Sequence, residues 1–344
     1  MHPVVTSAVR DTRLIVAAVL VVLALVSGCA GQPEQQAARP SRSAASAGPE
    51  TRTGTPAPAA SAPVGGDGSY RTAERQVTFT EPAHTGPADH YLGQRTLVTQ
   101  IWYPRARGPA GPFPLLLFAP GFLQCPGAYS DLLQAWASAG YVVAAVNFPR
   151  TNCHRGTEAY EADLVNQPQD MSYVLTRLLA LSARPGDSFS GLLDPHEVGA
   201  AGQSDGGDTV AALAANTCCT DRRLKAVAVL SGAEWPPMPG RYFPGGTPPM
   251  LFTQGSADTV NPPWTSLQLY RADGADARYY LDLFGASHLI PYEGTNPAER
   301  LTARVTLAFF DRYMLGQPDA LETMTRDGNV TGTAALVSGG QPPP

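Results

Sequence analysis

One stretch constrains this chain more than any other: Gly202-Gln203-Ser204-Asp205-Gly206-Gly207. A short apolar run, Val198-Gly199-Ala200-Ala201, precedes it, and a small-residue helical run, Thr209 to Ala215, follows it. A strand that turns sharply into a helix through G-x-S-x-G is a nucleophile elbow. Small residues at positions 202 and 206 let the strand and helix backbones pass close together. Ser204 is then expected at the carboxyl end of a strand and the amino end of a helix. Free N–H groups and the helix dipole favour negative charge there.

The ends of the chain read differently from the middle. His2 to Arg13 is short, with Arg10 and Arg13 as its positive charges. Leu14 to Val26 is apolar, but a membrane span needs roughly 20 such residues. Leu25-Val26-Ser27-Gly28-Cys29 closes the run. This layout predicts a secretory leader over residues 1–28. Its end resembles the bacterial lipobox, which implies a lipid on Cys29, an extracytoplasmic location and attachment to the cell membrane. Residues 29–69 are rich in Ala, Pro, Ser, Gly and Gln. Such a segment buries too little apolar surface to offset the entropy of ordering, so a disordered tether is expected. Residues 319–344 are expected to be mostly unstructured. The remaining segment, 70–318, suits one α/β domain with a substantial core.

The formal net charge is −5 and no basic run exists, which argues against a nucleic-acid partner. Cys125, Cys153, Cys218 and Cys219 follow Cys29. An exported chain sits where disulfides persist, and four cysteines allow three pairings. The adjacent Cys218-Cys219 has no nearby histidine, unlike a zinc site, so no metal and no cofactor is expected.

Between the ends, strand and helix patterns alternate. Gln76–Thr80 and Thr96–Tyr103 alternate in polarity and read as antiparallel strands. Phe113–Ala119 is continuously apolar, as a buried central strand should be. Pro126–Gly140 has helical spacing, Tyr141–Val146 reads as the next strand, and residues 168–181 as a helix. Glu197–Ala201 is the elbow strand. Val227–Leu230, Met250–Thr253 and Arg278–Leu283 are three more strands, with helices over Pro262–Ala272 and Pro297–Leu315. The alternation predicts a mostly parallel central sheet with helices on both faces.

The order of elements and the elbow resemble the α/β-hydrolase family. So do Gly255-Ser256-Ala257-Asp258 after a late strand and Gly285-Ala286-Ser287-His288 after the last one. Within that family the chain is similar to the dienelactone hydrolase, chlorophyllase and platelet-activating-factor acetylhydrolase branch, notably in Gly140-Tyr141-Val142-Val143. The resemblance implies a serine carboxylic-ester hydrolase. A serine hydroxyl is a poor nucleophile until an imidazole, oriented by a carboxylate, takes its proton. Ser204, Asp258 and His288 stand in the family's order. His154 precedes the serine and is the reserve base. Glu234, after the preceding strand, is the rival acid, and Asp282 lies inside the last strand.

The oxyanion of a tetrahedral intermediate needs two donors. The backbone N–H groups of Asp205 and Phe122 are the expected pair, the second from the loop Pro120-Gly121-Phe122. Leu123, Tyr129 and Trp235 are expected walls of the substrate pocket. Gln203 stands where a histidine is commoner, with no role assigned to its side chain. A small or medium acyl ester is the implied substrate. Lipase, acetylhydrolase or polyester hydrolase activity is an alternative, as is an acyltransferase or a binding protein on the same fold. In the family the strands ending at Ala119 and near Val146 are neighbours, which brings Cys125 to Cys153. Some 13 helical residues carry Cys218 about 20 Å away, leaving Cys218 and Cys219 free or joined to each other.

Overall fold

The computed structural model of the chain describes residues 70–86, 91–105 and 111–339. The expected leader, Cys29 and the tether lie outside the described residues. The strands and helices run in the order β1 (Arg71–Glu81), β2 (His84–Thr85), β3 (Tyr91–Leu92), β4 (Arg95–Arg105), β5 (Phe113–Ala119), α1 (Ser130–Ser138), β6 (Val142–Asn147), α2 (Gln167–Ser182), β7 (Leu193–Gln203), α3 (Asp205–Ala215), β8 (Leu224–Leu230), β9 (Met250–Gly255), α4 (Trp264–Ala272), β10 (Arg278–Leu283), α5 (Pro297–Tyr313), α6 (Ala320–Gly328) and β11 (Ala334–Ser338). β2 and β3 form a separate two-residue ribbon.

Nine strands make one sheet in the order β1-β4-β6-β5-β7-β8-β9-β10-β11. The six strands from β6 to β10 are parallel, while β1, β4 and β11 pair antiparallel at the two ends. This is an α/β architecture, as expected. Burial explains the composition of each strand. All of β5 is buried, whereas β4 near the sheet edge alternates. Successive side chains of a strand face opposite ways, so one apolar strand feeds two cores. Leu115 and Leu117 join Val174 of α2, Val210 of α3 and Leu269 of α4 on one face. Leu116 and Phe118 join Trp136 of α1 and Phe309 and Phe310 of α5 on the other.

Two buried polar links fix α5 against that second face. Trp136 Nε1 donates to Thr306 Oγ1 at 3.0 Å, and the Tyr141 hydroxyl donates to Asp311 Oδ1 at 2.7 Å. A third link sits at the head of β4. Arg95 grips Asp170 through Nε and Nη2, both at 2.6 Å, and Asp163 through Nη1 and Nη2 at 3.0 and 2.8 Å. Forked guanidinium–carboxylate pairs of this kind add geometric specificity. This one ties the short 3₁₀ segment Glu161–Asn166 to α2 and β4.

The carboxyl-terminal expectation is corrected. Among the described residues 319–339 of that segment, α6 and β11 are both formed. β11 pairs with β10 from Tyr279↔Ser338 to Leu283↔Ala334. The physical reason is the open side of β10, whose unpaired N–H and C=O groups accept one more strand. Met324 of α6 buries against the α5 side of the core. Strand limits also extend beyond the sequence reading: β1 begins at Arg71 because β4 pairs with it along its full length, and β7 begins at Leu193, which pairs with Phe113 before an irregularity and regular pairing from Val198.

Candidate active site

β7 ends at Gln203 and α3 begins at Asp205, leaving Ser204 alone in the turn with φ +56° and ψ −125°. A left-handed backbone at a non-glycine residue is strained and persists only where its surroundings over-determine it. Here they do. A Cβ on Gly202 would overlap the Gly206 carbonyl, and one on Gly206 would overlap the Ala119 carbonyl at the end of β5. Both clashes are with backbone, which cannot rotate away. Gly206→Ala is therefore expected to cost about 3 kcal/mol or more. That loss reads as a fall in Tm of roughly 6–12 °C. Thermal melts of the purified variant check it, and a Tm within a degree of wild type would contradict the close approach.

Three loops at the carboxyl ends of the parallel strands bring the expected trio together. Ser204 Oγ lies 2.9 Å from His288 Nε2, and His288 Nδ1 lies 2.7 Å from Asp258 Oδ2. Asp258 only accepts while ionised, so the ring proton sits on Nδ1 and Nε2 presents its lone pair to the serine. Asp258 Oδ1 accepts the N–H groups of Val260 at 2.9 Å and Asn261 at 3.0 Å, and Oδ2 accepts Gln254 Nε2 at 3.0 Å. Burial would push the Asp258 carboxyl up, but its bond to His288, the charge there and the two backbone N–H groups hold it below its ordinary value. The carboxylate therefore stays charged and its orientation fixed. Ser204 is 9% exposed and His288 8%, so both reach the surface of the cleft.

The N–H groups of Phe122 and Asp205 have no acceptor among the described residues. Their neighbours do: Gly121 N–H goes to the Tyr129 hydroxyl, and Leu123 N–H to the Thr151 carbonyl at 2.7 Å. Leu123 itself has φ +57° and is partly exposed, as is Phe122. The Asp205 side chain has more character than the sequence suggested. Burial, with the charge of Glu161, pushes its carboxyl up to about 7, and Oδ2 is enclosed without a partner. Asp208, one turn on, is also pushed up by burial and by Asp205.

One pocket expectation changes. Tyr129 is fully buried and is not a wall. Its ring packs on Phe118 with centroids 4.8 Å apart, and its hydroxyl joins Gly121 to Gln203. Trp235 is partly buried in a small cluster with Leu164, Ala212 and Met238. Exposed apolar side chains stand instead beside the site residues: Val260 two positions after Asp258, Ile290 two after His288, and Trp264 at the start of α4. Adjacency to Asp258 and His288 was the sequence signal for the first two.

The rival residues stand apart. Glu234 is exposed and takes a hydrogen bond from Gln268 Nε2 at 3.2 Å. Asp282 is half-buried within β10. His154 is exposed beside Cys153. Cys125 and Cys153 form a disulfide, with Cα atoms 5.2 Å apart, between the loops after β5 and β6. Cys218 and Cys219 are joined to each other. Cys125, Cys153 and His154 bring three ligand-type atoms within 4.8 Å. Two of those are sulfurs bonded to one another, which leaves a lone imidazole rather than a ligand set.

Gln203 is the residue that sequence reasoning missed. It is completely buried, and its side chain bridges Tyr129 and His288. Only its position beside Ser204 pointed to it. Compared with protein-family models and with curated proteins, the chain matches none.

Proposed function

We propose that this chain is a serine hydrolase of carboxylic esters on an α/β-hydrolase fold. One observation carries the reading: the line Ser204 Oγ, His288 Nε2, His288 Nδ1, Asp258 Oδ2, at 2.9 and 2.7 Å, on a strained turn. The strand order, with a parallel centre and antiparallel first strands, supports the family reading. In the reaction Ser204 Oγ attacks the ester carbonyl while His288 Nε2 takes its proton. The oxyanion forms between the N–H groups of Phe122 and Asp205. His288 then returns the proton to the leaving alcohol. Water, deprotonated by the same nitrogen, releases the acid from the acyl-serine.

The β8–β9 connection, residues 231–249, contains no helix, which suits an open cleft and small to medium acyl groups. The exposed Val260, Trp264 and Ile290 favour a second reading, a lipase-type preference for apolar esters. The same proposal includes export and a lipid anchor on Cys29, supported by the leader pattern and by two disulfides, which persist outside the cytoplasm.

A fluorophosphonate probe tests the reading. Mass spectrometry is expected to find the adduct on Ser204, and a series of aryl esters of rising acyl length then separates the two substrate preferences. Failure to label Ser204 in folded protein would sink the assignment.

A further inference from the structure

Gln203 lies directly before Ser204, and the orientation of its amide is fixed from both ends. Gly121 N–H donates to the Tyr129 hydroxyl oxygen at 3.1 Å. The one hydroxyl proton of Tyr129 then goes to Gln203 Oε1 at 2.8 Å. At the far end Gln203 Nε2 donates to the His288 carbonyl at 3.2 Å. Exchanging oxygen and nitrogen would oppose donor to donor at Tyr129 and acceptor to acceptor at His288. The amide nitrogen is thus held 3.3 Å from His288 Nε2, the atom that must take the proton of Ser204.

We propose that Gln203 is a positioning residue that keeps His288 in its base form, its locked N–H₂ group approaching the Nε2 lone pair at 3.3 Å, beside the closer Ser204 hydroxyl at 2.9 Å. The proposal rests on the ester-hydrolase reading above. The carboxylates around the ring act the other way. Asp258 holds Nδ1, and the charge of Glu293 also reaches His288. Both favour an imidazolium. A proton on Nε2 would face the amide hydrogens of Gln203, donor against donor, and the amide, being completely buried and held at both ends, cannot turn away to relieve the conflict. Gln203 thereby opposes the two acids, holds the reactive tautomer in the resting site, and makes the imidazolium a readier donor to the leaving alkoxide. Tyr129 is part of the same device. It fixes the amide and anchors Gly121, next to the oxyanion donor Phe122, so both halves of the site share one buried chain of hydrogen bonds.

The test is the pH profile of kcat/KM on an aryl ester, for wild type, Gln203→Glu and Gln203→Met. Gln203→Glu keeps an acceptor for Tyr129 but sets a carboxylate oxygen against the ring. Its acid limb is expected to move up by about 1 pH unit or more. Gln203→Met keeps the volume and removes both donors. Its limb is expected to move up by less, with kcat falling more than KM changes. Should Gln203→Glu fail to fold, the limb of Gln203→Met decides. A wild-type limb in the folded variants overturns the proposal even where kcat or Tm drops, since a purely structural glutamine would lower only the plateau. A wild-type protein that hydrolyses no ester overturns the underlying reading, and this proposal with it.

Discussion

Ser204→Ala is expected to lower kcat for ester hydrolysis by roughly 10⁴-fold or more while leaving the fold intact. The loss is large because Ser204 Oγ is the only hydroxyl within reach of His288 Nε2 among the described residues. The fold survives because the substitution removes one oxygen at a surface-facing turn that Gly202, Gly206 and the end of β5 continue to hold. A Tm within about 2 °C of wild type is expected, as for substitutions that create no cavity. Turnover is measured on purified protein with an aryl ester and repeated after fluorophosphonate treatment. Near-wild-type turnover in the variant would remove Ser204 from the reaction.

The second large effect concerns the partners of the serine. His288→Ala and Asp258→Asn are each expected to lower kcat by about 10³- to 10⁴-fold, and the double variant to be little worse than His288→Ala alone. The case of Asp258→Asn follows from its hydrogen bonds. Oδ1 accepts two backbone N–H groups, from Val260 and Asn261. The amide oxygen of the variant must take that place, which forces its N–H₂ group toward His288 Nδ1. The ring then moves its proton to Nε2, and in that tautomer it has no lone pair for Ser204. Single and double variants assayed together check this. A mild Asp258→Asn beside a severe Glu234→Gln would transfer the role of the acid to Glu234.

Some of this protein is written in short stretches of its sequence. The elbow needs small residues at Gly202 and Gly206 because backbone passes backbone there, and that demand concerns neighbours in the chain. β5 is legible because a strand buried on both faces must be apolar throughout. Asp258 and His288 were identifiable because each follows a strand of the sheet, and parallel strands deliver their following loops to one edge. The disulfide between Cys125 and Cys153 follows from the same rule once β5 and β6 are neighbours.

What only the tertiary structure decided depends on partners far apart in the chain. Tyr129 and Gln203 are 74 residues apart, and Gln203 and His288 are 85 apart. No local pattern distinguishes a glutamine that bridges them from one facing solvent, so the sequence assigned Gln203 no role, and it placed on the pocket wall a Tyr129 that is fully buried. β11 is the same kind of case. Ala334–Ser338 carries a weak strand signal of its own and is ordered by the open side of β10. Periodicity and turn chemistry act over a few residues and fix the elements. Hydrogen bonds and strand pairing act across space, so the roles of buried polar side chains and of edge segments emerge only when the elements have packed.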